Sequence, residues 1–302
     1  MFGLRKKLII SLALGAGGAR GLAHVGVLRA LKDAHFPLNI ITGSSAGALV
    51  GAMYAQSGNV DEVESKIRDL LATDFIKKYR LDLFVPPQDR EQEKILDRVG
   101  YFVRQQFVLA RSFTKMSFFN SEIVDEALSF LLDDTDIEKT KIPFGAVAVD
   151  YLSGEKILIT QGSIRKAVAA SCSIPGIFPS VSLDDKLLID GGIISQVPVV
   201  EAREMGANFV IGVSVSPSIK EDLNVRNGLE LMFRANEITR YHLNQKNIQM
   251  ADVVIHPVVN KIHWADFKNI DKLINMGRET AERLLPEINL KFKRSKFRFW
   301  SS

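Results

Sequence analysis

The chain has 302 residues, 46% of them hydrophobic and 25% charged, with a single cysteine, Cys172. That composition excludes a disordered chain and a disulfide-stapled one, and the absence of any apolar run of ~18 residues excludes a helical membrane span. The net charge of +4 is small, and its basic excess gathers at the C-terminus, which argues against a nucleic-acid binder.

Arg5-Lys6-Lys7 followed by the apolar run Leu8 to Ala16 has the outline of a secretion signal. Cleavage there would destroy the glycine loop that follows, so Lys7 to Leu14 is read as a buried first strand that is retained. The strand ends in Gly15-Ala16-Gly17-Gly18-Ala19-Arg20-Gly21, and a helix with an apolar stripe of Leu22, Val25, Leu28 and Leu31 comes next. Strand, glycine loop and helix make an anion site, because bare backbone N–H groups converge where no side chain blocks approach. A dinucleotide is one candidate anion, but Arg20 stands where that fingerprint needs its last glycine, and the second strand ends without an acid. A transient oxyanion is the better fit, with the N–H groups of Gly17 and Gly18 as donors.

Asn39 to Thr42 is a second short apolar strand, and Ala46 to Ala55 is compatible with a helix. Between them lies Gly43-Ser44-Ser45-Ala46-Gly47, a Gly-x-Ser-x-Gly sequence. A serine at a sharp strand-to-helix turn is lifted clear of the sheet, and small residues two before and two after let the chain pass close by. Ser45 is therefore the candidate nucleophile, Ala46 N–H a third oxyanion donor, and Gly43 and Gly47 the elbow. His24, on the first helix, reads as a packing or hydrogen-bonding residue rather than a base.

Two helices separated at Ser57-Gly58-Asn59 fill residues 45 to 71. From Phe75 to Phe119 the chain then carries nine of its 25 aromatic residues, interrupted by Pro86-Pro87. This stretch, about residues 75–120, reads either as a satellite core or as a greasy cap or acyl-chain pocket over the site. Asn120-Ser121 begins a helix reaching Leu132. Pro143 to Val149 and Glu155 to Thr160 form a hairpin around Ser153-Gly154, and Ser163 to Ala170 is a short helix. Ser171 to Pro179 is a rigid apolar loop in which Cys172 is expected to be buried rather than reactive.

Lys186 to Ile189 is a strand that ends in Asp190-Gly191-Gly192. On spacing alone Asp190 is equally a turn former and a base. The catalytic reading gains because His35, His242, His256 and His263 show no triad pattern. Pro198 opens a helix, Asn208 to Val215 and Val253 to His256 are strands, Gly228 to Met250 is a long amphipathic helix, and Phe267 to Leu285 is the last helix. Five basic residues, Lys291, Lys293, Arg294, Lys296 and Arg298, interleave with Phe292, Phe297, Phe299 and Trp300 in the last twelve positions. They read as a solvated tail or as an interfacial anchor on an anionic bilayer. Strands alternating with helices predict an α/β fold of three layers, a mostly parallel central sheet flanked by helices. No linker or repeat divides residues 1–290, which are read as one domain before the 291–302 tail.

Taken together, Gly17 to Gly21, Gly43 to Gly47, Ser171 to Pro179 and Asp190-Gly191-Gly192 resemble the patatin-like phospholipases in order and spacing, from about Leu8 to about His256. Ala16 departs from the resemblance, since the family often has a third glycine there. The resemblance implies a serine–aspartate dyad of Ser45 and Asp190, with Gly17, Gly18 and Arg20 in the oxyanion loop. It implies hydrolysis of phospholipid or lysophospholipid esters without cofactor or metal. The alternatives are a thioesterase or small-ester esterase with the same dyad, or a membrane-associated scaffold that does not turn over. The lone cysteine and the basic tail together suggest a cytoplasmic protein, peripheral on the inner membrane face, with no nucleic-acid partner.

Overall fold

A computed structural model describes residues 8–79, 85, 116–219, 228–260 and 262–301. Eight strands form one sheet: β1 (Ile10–Leu14), β2 (Ile40–Ser44), β3 (Phe144–Asp150), β4 (Lys156–Ile159), β5 (Val181–Leu183), β6 (Lys186–Asp190), β7 (Phe209–Val213) and β8 (Val253–Ile255). Their order is β5-β6-β3-β2-β1-β7-β8, with β4 paired to β3. The run β3-β2-β1-β7-β8 is parallel, whereas β4, β5 and β6 are antiparallel to their neighbours. Every residue of β1, β2, β3 and β7 is buried, which is why they read as continuous apolar runs rather than alternating ones. β1, the run with the outline of a secretion signal, lies between β2 and β7.

The registers of β3 explain where the site forms. β2 pairs with β3 until Ser44 meets Val147, and β6 takes over the same side of β3 where Asp190 meets Ala148. The other side of β3 is occupied by β4. Two strands running toward each other thus end head to head along β3, one delivering Ser45 and the other Asp190.

Helices cover the sheet: α1 (Ala23–Asp33), α2 (Ala46–Ser57), α3 (Val60–Ala72), α4 (Phe75–Lys78), α5 (Ser121–Leu131), α6 (Ile164–Ser171), α7 (Val199–Glu204), α8 (Gly228–Ile248) and α9 (Ile270–Ser301). α1 and α9 touch backbone to backbone through Gly26 and Gly277, where a side chain on either would strike the other helix. The main core gathers Leu12, Leu14, Leu28, Ile41, Phe144 and Phe209.

β5 and the short α4 are elements the sequence reading did not mark, and two of the longer helices depart from it. α9 passes through Pro286 to Ser301 instead of ending at Leu285. A proline removes one helical hydrogen bond, but buried Ala281 and Ile288 on either side hold the helix on its course. Phe292 is accordingly not a free tail aromatic: its ring lies 5.2 Å from Phe36 and 5.9 Å from Phe209. Lys291 donates to the Asp252 carbonyl at 3.0 Å. The second departure is α8, which turns Leu231, Met232 and Ile238 to the surface while Asn244 is buried. Its inward face is polar, the reverse of an ordinary amphipathic packing helix.

Of the aromatic-rich stretch, Phe75, Tyr79, Phe118 and Phe119 are described; Phe84, Tyr101, Phe102, Phe107 and Phe113 lie outside the described residues. Phe75, Phe118 and Phe119 are core residues, and Phe119 stacks on Phe178 with ring centres 5.5 Å apart.

Candidate active site

The turn at Ser45 is strained. Its φ of 53° and ψ of −124° put a non-glycine residue in left-handed space between β2 and α2. The sequence permits this on both sides. A side chain at Gly43 would strike the Ala48 backbone, and one at Gly47 would strike the Leu14 carbonyl. The strain is held by a bond that sequence reasoning missed. Ser45 N–H donates to Ser171 Oγ at 2.9 Å, and Ser171 Oγ donates in turn to the Val147 carbonyl at 2.6 Å. Ser171 is fully buried at the end of α6, so the same short helix that braces β3 fixes the serine elbow.

The glycine loop lies beside this elbow. Gly18 has a φ of +57°, and a side chain there would strike the Trp264 carbonyl. That carbonyl accepts the Ala19 N–H at 2.6 Å, while Arg20 N–H closes a turn on the Gly17 carbonyl at 3.3 Å. Arg20 therefore offers its guanidinium, not its N–H. The N–H groups of Gly17, Gly18 and Ala46 are bonded to no backbone carbonyl among the described residues. His24 is buried, and its Nε2 donates to the Gly15 carbonyl at 2.7 Å, tying the start of the loop to α1. Burial pushes its pKa down to about 4, so it is a neutral strut, as the sequence suggested.

Asp190 is 5% exposed, and its Oδ1 accepts the Gly192 N–H at 2.7 Å. Burial raises its pKa to about 6, against the lowering pull of a hydrogen bond from the Ser45 side chain, the Gly192 N–H and the Arg240 charge. A carboxyl poised there passes between acid and base near neutral pH.

Ser45 lies where two cavities meet. One, of about 240 Å³, is the more polar: Gly17, Gly18, Arg20, Asp190, Ser216 and Arg240 are among its walls, beside Ile174, Ile193 and Trp264. The other, of about 200 Å³, is apolar and enclosed by α2, α3, α4 and α5, with Leu49, Leu70, Phe75, Ala127, Leu128 and Phe178 among its walls. Ser45, Gly18, Ile174 and Trp264 border both. The described walls of the apolar cavity come mainly from the helices after the elbow; the aromatic-rich stretch adds Phe75 and Ile76. Cys172 lies on this apolar wall, and burial pushes its thiol up, out of the reactive range. Among the described residues no three His, Cys, Asp or Glu side chains are grouped to hold a metal ion.

The structure thus brings Ser45, Asp190, Gly17, Gly18 and Arg20 to one cavity. It adds Trp264, Ser216, Arg240 and Tyr241, which the sequence did not single out. For Tyr241 a signal existed. Glu237, Tyr241 and Asn244 recur at helical spacing on α8, a polar stripe where a packing helix would be apolar.

The family model for patatin-like phospholipase matches residues 12–203. An uncharacterised NTE family protein of Mycobacterium tuberculosis (strain ATCC 25618 / H37Rv) is 30% identical over 209 residues, 69% of this chain and 49% of that protein. Patatin-like phospholipase domain-containing protein 7 of Mus musculus is 30% identical over 216 residues, 71% of this chain and 14% of that protein. The chain therefore spans about half the length of the mycobacterial relative and about a seventh of the mouse one. Among solved structures, VipD from Legionella pneumophila superposes with a TM-score of 0.50 at 16% identity, covering 93% of this chain and 67% of that one, a likeness of fold.

Proposed function

The chain belongs to the patatin-like phospholipase family, and from that premise we propose that it hydrolyses a carboxyl ester of a phospholipid or lysophospholipid. Ser45 is the nucleophile and Asp190 its base. The observation that carries this reading is the position of Ser45 at the boundary of a polar cavity walled by Asp190 and an apolar cavity suited to an acyl chain. An apolar cavity at the nucleophile favours a long-chain lipid ester over a small one.

In this mechanism Asp190 takes the Ser45 hydroxyl proton as Oγ attacks the ester carbonyl carbon. The carbonyl electron pair moves onto oxygen, and the Gly17, Gly18 and Ala46 N–H groups hold that oxyanion. Collapse breaks the ester C–O bond. The departing alcohol takes the proton from Asp190, leaving an acyl-serine. Asp190 then deprotonates a water molecule, which attacks the acyl carbon, and Ser45 regains its proton as the fatty acid leaves. Arg240 contributes positive charge that favours the ionised form of Asp190.

The basic C-terminal residues are assigned no part in presenting substrate. Phe292 and Lys291 pack against Phe209, Phe36 and Asp252, at the N-terminal ends of the parallel strands. Ser45 and the glycine loop are at the C-terminal ends. An anchor formed by exposed Lys293, Arg294 and Phe297 would hold the edge of the sheet away from the site.

The test is turnover of a medium-chain lysophosphatidylcholine by wild type, Ser45→Ala and Asp190→Asn, each shown folded by circular dichroism. Wild type is expected to release fatty acid, Ser45→Ala to fall to background, and Asp190→Asn to lose at least about 10²-fold. Near wild-type rates in Asp190→Asn would contradict the dyad.

A further inference from the structure

The polar cavity holds more hydrogen-bond donors than the chemistry at Ser45 uses. Ser216 is 7% exposed, and among the described residues its hydroxyl has no partner. The Nε of Arg20 is likewise buried with no acceptor. Both side chains line the cavity, and so does the exposed Arg240, which forms no ion pair among the described residues. Burial lowers the pKa of Arg20 to about 10; the Glu237 charge pulls it up and the Arg240 charge pushes it further down. The carboxylates on these walls are already engaged. Glu237 accepts from Arg234 at 2.7 Å, and Asp190 accepts from Gly192. Buried donors left without acceptors are costly, and a polar cavity that gathers them is built for a ligand that supplies the acceptors. The ligand that satisfies two guanidinium groups and a hydroxyl together is an oxyanion with several acceptor oxygens, which is the chemistry of a phosphate.

We propose that Arg20, Ser216 and Arg240 form a phosphate-binding subsite that receives the phosphodiester of a glycerophospholipid, so that the protein selects phosphate-bearing lipids over neutral glycerides. The inference rests on the reading of Ser45 as nucleophile, because the two cavities meeting there set the order of the substrate. The acyl chain lies on the α5 side, the ester at Ser45, and the phosphate on the α8 side. Arg240 is the residue to vary, since Arg20 also sits in the loop beside the reacting atoms.

The experiment compares dihexanoylphosphatidylcholine with dihexanoylglycerol, both as monomers, for wild type, Arg240→Ala and Arg240→Lys. The two esters share their acyl chains and differ in the phosphate headgroup. Loss of a charge-assisted bond to phosphate predicts that the preference for the phospholipid, as a ratio of kcat/KM values, falls about 10- to 100-fold in Arg240→Ala. The loss should be carried by KM, and Arg240→Lys should restore part of it. If both esters lose activity by the same factor, Arg240 acts only through the Asp190 field and the subsite is refuted.

A binding measurement separates this from the catalytic reading. In the Ser45→Ala background, calorimetric affinity for dihexanoylphosphatidylcholine should fall by a similar factor on adding Arg240→Ala. Should wild type hydrolyse neither ester while this dependence holds, the catalytic reading fails and the subsite stands. Should wild type hydrolyse both esters with no effect of Arg240 on preference or affinity, the reverse follows. Inorganic phosphate is the third probe. Binding as tight as that of the phospholipid would assign the pocket to free phosphate and overturn the headgroup assignment.

Discussion

The carboxyl of Asp190 titrates near pH 6 because burial disfavours its charge more than the Ser45 hydrogen bond, the Gly192 N–H and Arg240 favour it. In the proposed dyad only the ionised form accepts the Ser45 proton. As pH falls through about 6 the base is lost, so kcat/KM should show an acid limb with an apparent pKa near 6, measured with a soluble ester whose own charge is constant. A limb near the ordinary carboxylate value of ~4 would show that the reacting Asp190 is not the buried group described above. His24 does not add to this limb, since its imidazole is neutral down to about pH 4 and bonded to Gly15. At this scale Ser45, Gly17 and Gly18 were legible as candidates because strained turns and close backbone passages demand particular residues at fixed spacing, whereas Asp190 was singled out by the lack of a histidine triad pattern and by the resemblance. Ser171, Trp264 and Ser216 were not. A buried serine has no local signature, and its role comes from the strand or loop it meets in the folded chain.

The apolar cavity belongs to whole elements, since α2, α3 and α5 each contribute one face to it. Ala127 on α5 is half-buried on its wall, so a larger side chain there intrudes on the cavity without disturbing a tightly packed core. Each methylene kept out of an apolar site costs about 0.8 kcal/mol. Ala127→Leu, which removes room for about two methylenes, should therefore lower kcat/KM for a palmitoyl ester by about 10-fold relative to a butyryl ester. An unchanged chain-length profile would place the acyl chain elsewhere. All strands but β5 were readable from periodicity and turn residues, as were α1, α2, α3 and the site loops; β5 is only three residues long and not buried. The polar inward face of α8 was not, because its partner is a cavity rather than a core. The passage of α9 through Pro286 was not either, because packing at Ala281, Ile288 and Phe292 outweighs a local signal to stop.

In the molecule as a whole, the two edges of the sheet carry different features. At the C-terminal ends of the parallel strands the glycine loop, the serine elbow and Asp190 converge, and Arg20, Ser216 and Arg240 surround the polar space beside them. At the other edge α9 brings Phe292 against Phe36 and Phe209, and Lys291 onto the Asp252 carbonyl. From Ile270 to Phe292 that helix rises about 33 Å at 1.5 Å per residue, which separates the basic stretch from the site. Among the described residues no helix is long and apolar enough to cross a membrane. The mostly parallel character of the sheet followed from the alternation of strands and helices. The head-to-head meeting of β2 and β6 along β3 did not, because it depends on strand register, and no single segment encodes it. That meeting is what joins Ser45 to Asp190, and the central claim is that it creates an activated nucleophile. Reaction of the folded protein with a lipid-like fluorophosphonate, followed by mass mapping of the modified peptide, tests this directly. The account predicts a label on Ser45, absent in Ser45→Ala and strongly slowed in Asp190→Asn. A folded wild-type protein that takes no label, with or without phospholipid vesicles, would contradict it.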